Sequence, residues 1–218
     1  MEPPNVPRER PGPAGGRRDA NRRRRLAELC AAAEELFLAE GIAAVTVDQI
    51  VARAGVAKGS FYRYVRDTEE LVATMIQPLA DAMRAAITCA HAALESADAA
   101  ATLTAIYRDL AAQLADAALA HPGLTTIYLQ EARAPRVGPR RPICALSDEV
   151  ERAAVTLTRA ARDHGLLRTD YDLRVSALAA IGAADRILFA HLSDEFSGDP
   201  RDTVTDLVSV ILDGVRSR

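Results

Sequence analysis

The fold is decided by residues 46–76, TVDQIVARAGVAKGSFYRYVRDTEELVATMI. Thr46 is followed three residues later by Gln49, a spacing at which the two side chains satisfy free backbone N–H groups at a helix start. Gly55 ends this short helix, and a second short helix begins near Lys58. Two short helices joined by a tight turn that contains glycine predict a helix-turn-helix unit.

Apolar residues recur at helical spacing on both sides of this unit. One stripe predicts a preceding helix that begins near Arg22 and ends at Gly41. A longer helix opens at about Thr68, and Pro78 inside it predicts a kink or a local break. Further helices are predicted, between segments rich in Pro and Gly, over 98–120, 122–132, 144–164, 171–192 and 200–216.

The composition agrees with this pattern. The chain has 218 residues, 49% of them hydrophobic, so it is long enough to bury a core without a metal or disulfides. Aromatic residues make up only 4%, Trp is absent and alanine is abundant, which favours close-packed helices over sheets. We therefore predict an all-α protein of about nine helices, with a three-helix N-terminal helix-turn-helix domain and a helical second domain.

Charge is distributed unevenly along the chain. The net charge is −3, but residues 1–66 carry a net +4 and residues 67–218 a net −7. A basic N-terminal module on an acidic body is typical of a protein in which one part meets a polyanion. Residues 1–21 are rich in Pro, Gly and Arg and predict a flexible arm, which either contacts DNA or is a solvated tail.

Several classes of function are disfavoured. The three cysteines have no CxxC spacing and the four histidines no HExxH spacing, so we expect reduced, buried thiols and no metal or other cofactor. No apolar run approaches the ~20 residues of a membrane span, which favours a soluble cytoplasmic protein. Adjacent acidic residues occur without a nucleophile and base, so an enzyme is not expected.

Residues 46–76 closely resemble the DNA-binding domain of the TetR family of transcriptional regulators. The densest match is 55–65, GVAKGSFYRYV, and the resemblance spans about 22–82. It implies a DNA-binding domain over 22–82 after the arm, and a helical domain for effector binding and dimerisation over 83–218. In two places the sequence departs from the family, which usually has Ser or Thr at the position of Ala57 and often Lys at that of Thr68.

The helix-turn-helix segment supplies the predicted DNA contacts. Lys58, the one lysine of the chain, stands at the start of the second short helix, where its charge and free N–H groups point to a phosphate. Arg63 is the one bidentate donor of that helix and is predicted to read a base, with a phosphate as the alternative. Phe61 lies on the apolar face of the same helix and is predicted to be core. The complete predicted set is Thr46, Lys58, Gly59, Ser60, Tyr62, Arg63, Tyr64, Arg66 and Thr68.

For the second domain the resemblance implies a homodimer that binds a palindromic operator on double-stranded DNA, a small-molecule effector, and repression as the common mode. The predicted dimer interface is formed by Ala177, Ala180, Ala184, Leu188, Val204, Leu207, Val208 and Ile211. The candidate pocket residues are Tyr107, His121, Tyr128 and Glu131. The alternative, equally well supported, is that each is an ordinary half-buried polar group without a role in ligand binding. An architectural DNA-binding protein without an effector is the alternative, and it predicts a body without a cavity.

Overall fold

The computed structural model describes residues 16–96 and 100–215. Within these ranges the regular structure is helical throughout, which confirms the all-α prediction. The elements are α1 (Arg17–Glu40), α2 (Val47–Arg53), α3 (Lys58–Tyr64), α4 (Thr68–Glu95), α5 (Ala100–Ala120), α6 (Pro122–Glu131), a 3₁₀ turn (Gly138–Arg140), α7 (Arg141–Asp163), α8 (Leu173–Leu192) and α9 (Pro200–Val215).

Helix α1 begins at Arg17, five residues before the predicted start at Arg22. Residues 1–15 of the predicted arm lie outside the described residues, and the end of the arm is helical. Polar side chains stabilise this first part of the helix. Asp19 lies in the first turn, where a negative charge is favourable, and Arg23 pairs with it at 3.2 Å one turn later.

Helix α4 continues through Pro78, so of the predicted kink or local break the break is absent. Proline lacks the N–H that would bond to the preceding turn, so the helix has one backbone hydrogen bond fewer there. Ile76 and Leu79 on either side are buried, and this packing holds the chain helical on both sides of the proline.

The chain divides into two compact units. The first contains the residues up to Gln77 together with Gln130–Ala145, and the second contains Pro78–Leu129 and the residues from Leu146 onward. The sequence places the boundary at residues 82 and 83 and assigns 130–145 to the second domain. In the structure that segment belongs with the N-terminal helices.

In the first unit, α1, α2 and α3 pack against one another. The largest fully buried side chains of these helices and their connections are Leu29, Phe37, Ile42, Ile50 and Phe61. The prediction that Phe61 lies in the core is confirmed. Of the residues that follow Phe61 in α3, Arg63 is exposed, and Tyr62 and Tyr64 are half-buried.

In the second unit, α5 packs along α9, and α8 packs on α9 as well. A buried cluster of small and branched apolar side chains unites α4, α5, α7 and α9. A bidentate ion pair ties α4 to α7, with Arg84 Nε 2.8 Å from Glu149 Oε1 and Arg84 Nη2 2.9 Å from Glu149 Oε2. Arg84 lowers the pKa of Glu149 through these hydrogen bonds.

Helix α8 has the length and mean hydropathy, 1.4, of a membrane span, and it is the one helix within the described ranges that does. Asp185 and Arg186 interrupt its apolar residues, so no continuous apolar run marks it in the sequence. Two adjacent charges inside a bilayer are costly, so composition alone does not make α8 a span.

The three cysteines occupy different environments. Cys144 is buried, Cys30 is half-buried and Cys89 on α4 is exposed, so the expectation of three buried thiols is wrong for Cys89. Burial raises the pKa of Cys30 to about 11, with a further contribution from the negative charge of Glu34.

Candidate functional site

The predicted capping box at the start of α2 is present. Thr46 Oγ1 accepts a hydrogen bond from the backbone N–H of Gln49, and Gln49 Oε1 accepts one from the backbone N–H of Thr46 at 2.8 Å. The Thr46 hydroxyl also donates to Gln49 Oε1. Both donors of Thr46 are therefore engaged within the protein, while its side chain stays exposed.

The turn between α2 and α3 is closed by a Schellman motif. The backbone N–H of Val56 bonds to the carbonyl of Val51, and that of Gly55 to the carbonyl of Ala52. Gly55 has φ of +66°, a conformation that glycine adopts without the steric cost other residues incur. This turn fixes the direction in which α3 leaves α2.

The start of α3 has no side-chain cap. Ala57 occupies the N-cap position in an extended conformation and makes no side-chain cap hydrogen bond. Gly59, on the first turn, is exposed, and a Cβ there would meet no atom within 4 Å. The first turn of α3 thus presents backbone that neighbouring side chains do not cover.

Lys58 is held by an ion pair across the helix-turn-helix unit. Its Nζ lies 2.7 Å from Oδ1 and 2.9 Å from Oδ2 of Asp48 on α2. The hydrogen bond to Asp48 raises the pKa of Lys58, so the ammonium stays charged. Sequence reasoning placed Lys58 correctly at the helix start but did not anticipate this partner.

Side chains of α3 form a small exposed network. Arg63 Nη2 donates to Ser60 Oγ at 3.2 Å, and its guanidinium lies 5.5 Å from the centre of the Tyr64 ring. Tyr62 packs its ring edge-to-face against buried Phe61 at 5.3 Å. Arg63 is thereby supported on two sides while its side chain remains exposed.

Arg66 and Thr68 lie at the entry to α4. Glu70 Oε2 accepts from both the backbone N–H and Nε of Arg66, and Asp67 Oδ1 accepts from the backbone N–H of Glu70. These bonds organise the connection between α3 and α4. None of the nine predicted contact residues is buried.

A buried carboxylate joins two distant segments of the first unit. Glu131 Oε1 accepts from the backbone N–H of Ile42 at 3.1 Å, and Glu131 Oε2 accepts from Arg140 Nε at 2.5 Å. Glu131 thus links the turn between α1 and α2 to the segment before α7. Its two oxygens are satisfied here, so it acts as a structural clamp.

The second unit contains a cavity of about 170 Å³. Six helices line it, with α4 contributing Leu79 and Met83, α7 contributing Val150, and the remaining residues coming from α5, α6, α8 and α9. Most of the lining side chains are aliphatic. Mainly apolar cavities with a few polar groups are the usual form of small-molecule sites.

Of the four candidate pocket residues, Tyr128 lines this cavity, and the other three lie elsewhere. Tyr107 packs against the buried cluster, where burial raises its pKa to about 12. His121 lies half-buried just before α6, and Glu131 is committed to Ile42 and Arg140. A polar residue on an otherwise apolar helix indicates a buried position, but it does not show whether the side chain faces the cavity or a packed cluster.

Sequence reasoning missed three polar lining residues: Thr125, Asp185 and His191. Thr125 lies three residues before Tyr128, and Asp185 lies six before His191 with Leu188 between them. In a helix such spacings place residues on neighbouring positions of one face. That periodicity is the signal from which they could have been found.

The predicted interface residues of α8 and α9 face different surroundings. Ala177 and Val208 are buried within the chain, and Ala184, Leu188, Val204 and Leu207 line the cavity. Ala180 and Ile211 are partly exposed. The large apolar side chains that α8 and α9 expose are instead Val175, Leu178 and Val210.

Part of the sequence matches a model of a known protein family. Residues 29–75 match the sequence family described as bacterial regulatory proteins, tetR family. No curated protein matches the sequence.

Solved structures share the fold over nearly the whole chain at low identity. A TetR family transcriptional regulator from Chloroflexus aurantiacus has a TM-score of 0.68 and 20% identity, covering 91% of this chain and 95% of that one. The ketosteroid transcriptional regulator KstR2 of Mycobacterium tuberculosis has a TM-score of 0.64 and 19% identity, covering 89% of this chain and 96% of that one. FadR from Bacillus subtilis, in complex with stearoyl-CoA, has a TM-score of 0.65 and 15% identity, covering 86% of this chain and 98% of that one.

Proposed function

We propose that the chain is a regulator of the TetR family, and that it is a ligand-responsive repressor that binds a palindromic operator as a homodimer; the match of residues 29–75 to that family supports the first part. The observation that carries this proposal is the cavity of about 170 Å³ in a chain whose first unit is a helix-turn-helix module. A purely architectural DNA-binding protein has no need of such a cavity.

The exposed face of α3 supports DNA reading. Arg63 offers two parallel donors, the arrangement that pairs with the O6 and N7 acceptors of guanine in the major groove. Exposed Gly59 allows close approach of the backbone to DNA. Lys58 and Arg66 provide cationic groups for phosphates around this helix, and the Thr46 hydroxyl provides a third donor when it exchanges its bond to Gln49 for one to a phosphate. Such contacts fix the register without reading sequence.

The exposed apolar side chains of α8 and α9 support dimerisation. Val175, Leu178 and Val210 are 65%, 42% and 72% exposed, so the outer faces of α8 and α9 offer large aliphatic side chains to a second copy of the chain. Gly182 of α8 and Gly214 of α9 have open space around them, so another helix can approach closely. A symmetric dimer places two copies of α3 on one face of the duplex, with half-sites about 34 Å or a multiple apart.

The cavity supports control by a ligand. The likeness of the fold to FadR, a structure with stearoyl-CoA bound, agrees with a ligand-binding role for the second unit. In our proposal the effector binds one of two states of the protein more tightly. This difference in affinity is the condition for the effector to change the spacing of the two helix-turn-helix units of the dimer.

Selection of binding sites from genomic fragments with the purified protein tests this proposal. We expect one palindromic motif, and Arg63→Ala should abolish its enrichment. The matched control is Arg159→Ala, an exposed arginine on α7 in the second unit. A profile without a motif would contradict the repressor and favour the architectural alternative.

The N-terminal arm is proposed to add non-specific affinity. Removing residues 1–15 takes away Arg8 and Arg10. If these arginines bind phosphates, deletion should flatten the slope of log K against log salt concentration by about 0.9 for each phosphate that is no longer neutralised. An unchanged slope would rule out this role for the arm.

A further inference from the structure

The cavity of the second unit is lined by aliphatic side chains and by a few polar ones that already have partners within the protein. We propose that it binds a compact, uncharged hydrocarbon, one ring with a short alkyl group, through apolar contacts alone. This inference rests on the proposed function, because it names the chemical class of the effector at that same site.

Small side chains of α5 create the space. Ala111, Ala115 and Ala118 all line the cavity. Their spacings of four and three residues place them on one face of the helix. Larger aliphatic side chains line the cavity from other helices, among them Leu79 of α4 and Val150 of α7. A ligand in this space therefore meets mainly methyl and methylene groups.

Two of the polar lining side chains form hydrogen bonds with their surroundings. Thr125 is buried, and its Oγ1 donates to the carbonyl of Ala118 at 3.1 Å. His191 Nε2 lies 3.2 Å from Thr203 Oγ1, and the His191 ring packs edge-to-face against Phe196 with 5.0 Å between the ring centres. Both side chains are thus held by the protein itself.

Tyr128 and Asp185, the other polar side chains of the described lining, also interact with other groups of the chain. No buried side-chain nitrogen or oxygen of a described lining residue lacks a hydrogen-bond partner. The described lining includes no lysine or arginine to pair with an anion, and a cation would have to compete for Asp185 with its present partner. An ion that enters the cavity therefore loses its water without gaining a free partner, a cost that an uncharged hydrocarbon does not incur.

The volume sets the size of the ligand. An apolar protein cavity of about 150 Å³ binds a single aromatic ring such as benzene. The cavity here has a volume of about 170 Å³. One ring with a short alkyl group fits this space, and a molecule of several fused rings does not.

Three probes that share a benzyl group test the preference for an uncharged ligand: isobutylbenzene, phenylacetate and 2-phenylacetamidine. Their end groups have equal numbers of heavy atoms and are neutral, negative and positive at neutral pH. In calorimetric titrations of the full-length protein we expect isobutylbenzene to bind at least about 100-fold more tightly than either ion, because an ion buried without a free partner is costly. Equal or tighter binding of either ion, or no binding of isobutylbenzene, overturns the assignment.

Filling the cavity tests where the probe binds. Ala115→Leu places a larger side chain in the space and should remove the binding of isobutylbenzene. Ala111→Leu, one turn earlier on the same face, is a second variant with the same expected result, and circular dichroism establishes that each variant is folded. Ala120→Leu, at an exposed position of α5 outside the lining, is the matched control and should leave the affinity unchanged. A folded cavity-filling variant that binds isobutylbenzene as tightly as the original protein contradicts this site.

The outcomes separate this assignment from the proposed function. The probe series on the original protein decides the ligand class without reference to DNA. Binding of isobutylbenzene that leaves DNA affinity unchanged contradicts the effector role, but upholds the ligand class. A protein that binds isobutylbenzene and no DNA contradicts the proposed repressor in the same way.

Discussion

Glu131 is the residue that holds the segment 130–145 to the N-terminal helices. Its side chain is 9% exposed and that of Arg140 is 21% exposed, so water screens this pair little. Glu131→Ala leaves Arg140 and the backbone N–H of Ile42 without their acceptor. We expect the free energy of unfolding to fall by about 3 kcal/mol, measured by urea denaturation.

A surface ion pair in the same unit provides the control. Arg141 Nη1 lies 3.4 Å from Glu69 Oε2, and the two side chains are 63% and 37% exposed. Glu69→Gln should change the unfolding free energy by less than about 0.5 kcal/mol. If the two variants are destabilised equally, Glu131 is not a buried clamp.

Lys58 is paired with Asp48 in the structure, and in the proposed complex with DNA its ammonium binds a phosphate instead. Lys58→Gln should lower affinity for operator and non-operator DNA alike and reduce the salt slope by about 0.9, since one phosphate is no longer neutralised. Asp48→Asn should raise affinity, because it frees the ammonium and removes a nearby negative charge. Fluorescence anisotropy over a salt series measures both. If Lys58→Gln leaves the salt slope unchanged, the Lys58 ammonium stays paired with Asp48 when the protein is bound to DNA.

At the scale of the element, the start of α3 has no side-chain cap. Ala57 has φ −71° and ψ 147°, the extended conformation in which serine caps a helix. Ala57→Ser should therefore stabilise the protein by about 1 kcal/mol in urea denaturation. Ala52→Ser, at an exposed position inside α2, is the control and should destabilise slightly. A drop in stability in Ala57→Ser would show that another group satisfies the start of α3.

Helix starts and turns were predictable because they depend on neighbours in sequence. Thr46 with Gln49, and Gly55 with the residues around it, form their hydrogen bonds within six positions, so their spacing alone identifies them. The first turns of α1 were missed because ion pairs rather than an apolar stripe stabilise them. The lysine partner Asp48 was missed because it depends on the angle between α2 and α3.

At the scale of the whole molecule, the proposed dimer rests on the exposed face of α8 and α9. Val210→Glu places a charge on that face and should shift the protein toward monomer in sedimentation at micromolar concentration. A stable interface buries about 1,600 Å², so a charge near its centre is costly. Val137→Glu, at a loop position 59% exposed in the first unit, is the control. A dimer that withstands Val210→Glu would contradict this interface.

Features formed between distant segments escaped prediction. The periodicity of α8 and α9 indicates apolar faces, yet it does not say which face packs inside the chain: Ala177 and Val208 are buried, whereas Val175 and Val210 are exposed. The attachment of 130–145 to the N-terminal helices depends on Glu131 and Ile42, which are 89 positions apart. Such contacts follow from the tertiary arrangement and leave no local pattern.

The unequal environments of the cysteines make the chain suitable for site-directed spectroscopy without mutagenesis. Cys144 is buried and Cys30 has a pKa of about 11, so neither offers an accessible thiolate at neutral pH, whereas Cys89 is exposed on α4. A maleimide dye or nitroxide should attach at Cys89 alone. Because α4 begins next to the helix-turn-helix unit, one label on each copy of the proposed dimer reports the separation of these helices with and without a candidate ligand.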